Sequence, residues 1–382
     1  MTPLETLVRE RHVICVVGPG GVGKTTTAAA LGVCAARAGR RSLIITIDPA
    51  RRLATAMGLA ELAQVEREVR VPMADGTHVT LHAMMLDLKL AWDDMVRRLS
   101  RDKAQQERIL GNRFYHYLST SLAGAQEYIA CEQLYTLCAE RDYDLIVLDT
   151  PPSAHAIDFL EAPGRILDVL ENEALRLVVT PSLAAGRASL RLLDLGSRYV
   201  ARSLTKMAGV EMLQAIADFL LAFEGMYGAL KERTLGFRDI FTSPDTAFVV
   251  VATPAQQALA EAVALGERLA HDGLPLGAVV LNQIHLPVAV EVDAQAVASV
   301  LPPALDAAAR GRLAGVVLQA ARRHNREVEV EALGIARSLG EALAVPRVLV
   351  PRLGHDVHDM KALVEMADQL CPVLTPTIQG NA

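Results

Sequence analysis

The sequence predicts an α/β protein: a mostly parallel central sheet flanked by helices, with an inserted α-helical subdomain. Two patterns carry that expectation. Short apolar, β-branched runs recur at His12 to Val17, Ser42 to Ile47, Asp144 to Leu148, Ala247 to Thr253, Gly277 to Leu281 and Arg347 to Val350. Near-continuous apolarity over so few residues is what a strand covered on both faces requires. Ala- and Leu-rich helical segments, such as Thr25 to Ala38 and Gln256 to His271, lie between several of the runs. That alternation implies parallel strands joined by right-handed crossovers.

Two regions break the alternation. From Leu88 to Glu140 apolar residues fall at helical spacing (Leu88, Trp92, Met95, Leu99, then Leu110, Phe114, Tyr117, Leu118, Leu122), with no strand among them. The spacing returns from Leu190 through Leu193, Val200, Leu204 and Met207, then Met212, Ile216, Phe219, Leu220, Phe223, Tyr227 and Leu230. The organisation expected is a single domain over 1–382, with a core at 10–87, 141–175 and 245–375. Residues 88–140 and 176–244 are the helical insertions that form the subdomain. The Ala-rich stretch from Asp293 to Ala309, broken by Pro302 and Pro303, has no clear assignment.

Composition narrows the class. Of 382 residues, 51% are hydrophobic and 21% charged, enough apolar material for a large core. The net charge of −6 supplies no general basic field for nucleic acid, although local patches are compatible with it. Cys15, Cys34, Cys131, Cys138 and Cys371 are odd in number and widely spaced, which argues against a disulfide framework and for a reducing compartment. The N-terminal run is interrupted by charges, and no stretch reaches about 18 apolar residues. A cytoplasmic protein is expected.

Chemistry enters directly after the first run. Gly18-Pro19-Gly20-Gly21-Val22-Gly23-Lys24-Thr25 matches G-x-x-x-x-G-K-[ST] in full, and Thr26 continues into the helix. Glycines let successive backbone N–H groups turn toward phosphate oxygens, while the following helix presents its positive end to the same anion. Lys24 would neutralise the β- and γ-phosphates of ATP, and the Thr25 hydroxyl would hold Mg²⁺. Asp149 ends an apolar run beginning at Tyr143 and would hold a Mg²⁺-bound water, the Walker-B arrangement. Asp48 also ends a run. From the residues alone, it is either a third member of the metal and catalytic set or a helix N-cap.

Taken together, GPGGVGKTT, ITIDPARRL, LIVLDTPPSAH and VVLNQ, in this order, resemble the ArsA/Get family of deviant P-loop NTPases. That family holds arsenite-pump ATPases, targeting factors for tail-anchored membrane proteins and many bacterial homologues. The resemblance spans about His12 to Asp368, strongest in the nucleotide core. It implies that Asp48 polarises the attacking water and that Asp149 to His155 form the second switch. It also implies that Asn282 reads adenine and that Pro351 belongs to a late loop packing on the base. The family's dimer normally carries a second lysine at the position of Pro19, reaching the partner's ATP in trans. Proline cannot supply that cation. Either a paralogous chain that keeps the lysine completes the site in a heterodimer, or a homodimer uses another cation, with Arg51 and Arg52 as candidates.

The function expected is a Mg²⁺-dependent ATP hydrolase, a dimeric switch that binds an apolar client or a membrane-associated partner. The helix from Met212 to Leu230 offers either a Met- and aromatic-rich capture face or a face packed into the subdomain. An arsenite or anion efflux subunit is the alternative, weakened because a soft metalloid needs converging thiolates. A small-molecule kinase or ligase is the further alternative. His355 and His358 have no third ligand and are expected to cap or lie on the surface.

Overall fold

The computed structural model describes residues 1–47, 52–59, 66–121, 125–140, 142–150, 210–340 and 343–372. Eight strands form one sheet: β1 Val13–Val17, β2 Ser42–Thr46, β3 Arg67–Pro72, β4 His78–Met85, β5 Leu145–Asp149, β6 Thr246–Ala252, β7 Leu276–Ile284 and β8 Arg347–Pro351. Their order is β3-β4-β2-β5-β1-β6-β7-β8, and only the β3–β4 pair is antiparallel. The four central strands β2, β5, β1 and β6 are buried at every position, which is why each reads as an unbroken apolar run. The α/β class inferred from the alternation is the architecture found.

Two strands were not legible. β3 reads REVRVP with exposed charges between buried Val69 and Val71, and β4 is exposed over its first half. An edge hairpin with one wet end lacks the continuous apolarity that marks the central strands.

Helices cover both faces. On one side lie α1 (Pro3–Glu10), α2 (Lys24–Arg37) and α13 (Met360–Leu370), with the short α3 (Arg52–Ala56). The other side carries α4 (Leu88–Leu99), α5 (Lys103–Leu110), α6 (Arg113–Ser121) and α7 (Ala125–Glu140), all between β4 and β5. It also carries α8 (Val210–Phe223), α9 (Tyr227–Thr242) and α10 (Gln256–His271). Between β7 and β8 run α11 (Ala294–Val300) and α12 (Ala307–Leu339). The break at Pro302 and Pro303 separates these two, and Asp306 caps α12 by accepting from the Ala309 N–H at 2.6 Å. A helix of 33 residues was not foreseen in this Ala-rich region.

The helical layer and the sheet face it covers share one continuous core. Phe219 and Phe223 stack at 4.7 Å, and Phe114 meets Phe219 edge-on at 5.3 Å. Phe219, Phe223 and Leu230 are buried there, so the face of α8 considered for capture is packed inward. Leu190 to Met207, the earlier part of that insertion, lies outside the described residues. Glu132 of α7 is fully buried and joins Arg98 at 3.1 Å, Arg233 at 2.7 Å and the Thr136 hydroxyl at 3.2 Å. Two guanidinium groups and a hydroxyl offset the desolvation of that carboxylate and tie α4, α7 and α9 together. No helix among the described residues is long and apolar enough to cross a membrane.

Candidate functional site

The C-terminal edge of the parallel strands carries the site. β1 ends at Val17, and the chain turns through Gly18 to Gly23 into α2. Glycine is required at two places. Gly18 has φ +151°, and a Cβ there would lie 2.1 Å from the Val251 carbonyl oxygen of β6. Gly23 has φ +94°, and a Cβ would lie 2.3 Å from Asn282 Nδ2. Gly23 is also the N-cap of α2 and, having no side chain, does not cap the amides of the first turn.

A cavity of about 350 Å³ opens there. Gly21, Gly23, Lys24, Thr25 and Thr26 line it from the loop side, Arg52, Thr55 and Ala56 from α3, and Thr150 and Val357 complete it. That volume is in the range of small-ligand sites. Lys24 is buried, and its Nζ donates to the Pro19 carbonyl at 2.8 Å, so the ammonium is folded back into its own loop. Pro19 itself is buried, while Gly20 is exposed.

Asp149 ends β5 with 1% exposure and accepts from the Thr46 hydroxyl at 2.8 Å. Next to it, Thr150 donates its hydroxyl to the Val16 carbonyl at 2.8 Å. Ile47 donates its N–H to the Asp149 carbonyl at 3.4 Å, which brings the chain leading into Asp48 to the same edge. Asp48 and Arg51, like Pro151 to His155, lie outside the described residues.

Asn282, near the end of β7, donates its Nδ2 to the Val22 carbonyl at 2.9 Å. Its amide therefore holds the glycine loop from behind and does not line the cavity. β7 is irregular between Leu281 and Ile284, and Gln283 takes φ +61°. Pro351 is half-buried at the end of β8, opposite Ile284, and the segment beyond it brings Val357 to the cavity. The structure thus gathers Gly21, Gly23, Lys24, Thr25 and Thr26 around one cavity, with Asp149 next to its Thr150 and Asn282 against the loop, while Gly18, Gly20, Val22 and Pro351 do not line it. Arg52 belonged to a motif already singled out. Thr55 and Val357 carried no sequence signal, because their place depends on how α3 and the segment after β8 fold over the loop.

The thiols lie elsewhere. Cys15, Cys34, Cys131 and Cys371 are buried and Cys138 is half-buried, none of them in a disulfide. Burial pushes the Cys15 and Cys34 thiols well up, Cys34 further through its hydrogen bond with Cys371, and Cys138 is pushed up to about 12. Burial thus favours the protonated form of these three thiols. His355 pairs with Glu365 at 3.2 Å and His358 Nδ1 lies 2.8 Å from the Asp356 carbonyl.

A glycine loop opening a helix at the C-terminal edge of a parallel sheet, its lysine directed into that loop, is the phosphate-holding device of P-loop nucleotide-binding proteins. Comparison with known families is narrower. Residues 11–299 match the model of the anion-transporting ATPases, and the chain belongs to this ArsA-type family. It is an ATPase. Similar proteins include the ATPase ARSA2 of Chlamydomonas reinhardtii, 29% identical over 290 residues, 74% of this chain and 71% of that protein. The ATPase get3 of Aspergillus terreus is 27% identical over 289 residues, 74% of this chain and 77% of its own length. The ATPase GET3A of Arabidopsis thaliana is 26% identical over 274 residues, 71% and 66% of the two chains.

Proposed function

We propose that the chain is a Mg²⁺-dependent ATP hydrolase whose nucleotide state sets its pairing with a second ATPase chain and its hold on an apolar or membrane-associated partner. The observation that carries this reading is the cavity itself. It is bounded by the phosphate loop on one side, and on the other by α3, just after Asp48, and by Thr150, which opens the second switch. A γ-phosphate held between these walls would touch both segments at once, and its loss would release both.

The donor set fits the groups implied. Thr25, Thr55 and Thr150 line one cavity and carry the hard oxygen donors that Mg²⁺ favours, and Gly23 leaves no side chain of its own between a phosphate and the α2 amides. Bound Mg²⁺ would neutralise phosphate charge and orient waters. Lys24 would leave the Pro19 carbonyl for the β- and γ-phosphates. Thr25 and Asp149 would hold the ion, Asp149 through a water, with Thr46 fixing that carboxylate. Asp48 would orient the attacking water. Asn282 and Pro351 would meet the base, and through Val22 Asn282 would link base binding to the shape of the phosphate loop.

Pro19 leaves the second cation to be found. Arg52 lines the cavity together with Lys24, which favours a homodimer that completes its charge from within each chain. The rival is a paralogous partner that supplies the lysine. The aromatic face of α8 is buried in the core between helices and sheet, so this reading assigns no partner-binding role to it. Among the described residues no three His, Cys, Asp or Glu side chains cluster as a metal site, which gives arsenite handling no support.

The test is ATP turnover by the purified chain, with its mass recorded in ATP and in ADP. Lys24→Ala should abolish turnover. Arg52→Ala should cut kcat on the order of 10²-fold or more if Arg52 is the second cation, and Pro19→Lys should then change little. Acceleration by Pro19→Lys with a silent Arg52→Ala would assign the cation to a partner chain. A mass that ignores nucleotide would overturn the dimeric switch. ATP consumed with phosphate transferred to an organic acceptor, and none released, would mark a kinase or ligase.

A further inference from the structure

Half of the large hydrophobic side chains exposed among the described residues, eight of sixteen, fall between Leu286 and Val317. Val300, Leu313, Val316 and Val317 sit on a helical hairpin made by α11 and the first half of α12, which pack on each other, with Leu305 in its turn and Leu286, Val288 and Val292 on the segment leading into it. From Ala294 to Arg326 Ala314 is the only buried residue, so this hairpin stands out from the body while the remainder of α12 runs beside α10.

The pattern on α12 is not scattered. Leu313, Val316, Val317 and Ala320 follow i, i+3, i+4, i+7 and share one face. The three large side chains are 39%, 60% and 42% exposed, and Val300 at the hairpin turn is 82% exposed. At 100° per residue, Arg312 and Arg323 border that face on one side and Arg310 on the other. From Ala307 to Arg326 there are five arginines and no acidic residue, within a chain whose net charge is −6. An apolar stripe flanked by long cationic side chains suits a surface that is apolar inside and negative outside.

A second copy of the chain fits less well. Pairing two such stripes would bring the five arginines of each copy to one seam with no acidic residue of either α12 segment to offset them. We propose that the α11–α12 hairpin docks on an anionic lipid surface. Leu313, Val316, Val317 and Val300 enter the boundary between headgroups and acyl chains, and Arg312 and Arg323 meet lipid phosphates. The hairpin contributes no residue to the nucleotide cavity, so this docking stands apart from the switch reading.

Flotation of the full chain with phosphatidylcholine vesicles, with and without phosphatidylglycerol, tests it. The chain should float with the anionic vesicles only, less so at high salt. The double variants Val316→Asp/Val317→Asp and Arg312→Glu/Arg323→Glu should each lower the bound fraction on the order of tenfold or more. Both should keep wild-type ATP turnover, which reports an intact fold. Val330→Asp, exposed but outside the hairpin, should float like the wild type. Absence of binding, equal binding to both vesicle types, or binding that survives both double variants would overturn the proposal. So would a dimer in solution that fails to float and that Val316→Asp/Val317→Asp splits into monomers, an outcome that gives the face to a second copy.

Discussion

α8 and α12 are both amphipathic, yet the molecule treats their apolar faces in opposite ways. α8 turns Phe219 and Phe223 into the helical layer, where α6 supplies Phe114 and Tyr115 as partners. α12 leaves Leu313, Val316 and Val317 exposed, because the short α11 covers little beyond Ala314. Helical spacing says that a face exists. What covers it depends on whether chain from another part of the sequence lies opposite with matching shape, and only then does burial stabilise the helix.

Truncation separates the two faces most sharply. Phe219→Ala should cost about 3–5 kcal/mol in chemical denaturation, since a stacked ring at 1% exposure leaves a cavity among rigid neighbours. A cost below about 1 kcal/mol would mean that the α8 face is not core in solution. Glu132→Ala examines the same layer through charge. It would leave Arg98 and Arg233 without their shared carboxylate and should also cost about 3–5 kcal/mol.

On the other helix, Val316→Asp/Val317→Asp should change stability by only about 0.5 kcal/mol per site. A large loss in the midpoint of unfolding would show that the hairpin is packed after all.

The smallest effect concerns Cys138, under the same layer as α8. Its thiol, raised from 9.0 to about 12 by burial, should be alkylated far more slowly at pH 8 than an exposed cysteine, with a thiolate fraction on the order of 10⁻⁴. A raised acid favours the fold while protonated. That contribution is present below about pH 9 and lost as pH rises toward 12, so unfolding midpoints should fall on that alkaline limb. Rapid labelling of the native protein would indicate that the layer opens.

Legibility followed burial among the central strands, whereas β8 was read from its apolar run although it is a mostly unburied edge strand. β1, β2, β5 and β6 announced themselves because both faces of each are covered, which forces continuous apolarity, and the glycine loop did so because close backbone approach to a phosphate admits few residues. β3 and β4 were silent because an edge hairpin with a wet end has no such constraint. Within the site, the loop and Asp149 could be read from their motifs, whereas the donation from Asn282 to Val22 and the position of Thr55 and Val357 could not.

By itself, the sequence determined the alternation of strands and helices, the composition of the phosphate loop and the absence of a lysine at Pro19. These are local requirements, set by hydrogen bonding, backbone freedom and periodicity over a few residues. The tertiary structure alone decided that α8 is covered and the first half of α12 is not, and that Arg52 shares a cavity with Lys24. Those outcomes depend on segments far apart in the chain meeting with complementary shape, which no short stretch of sequence encodes.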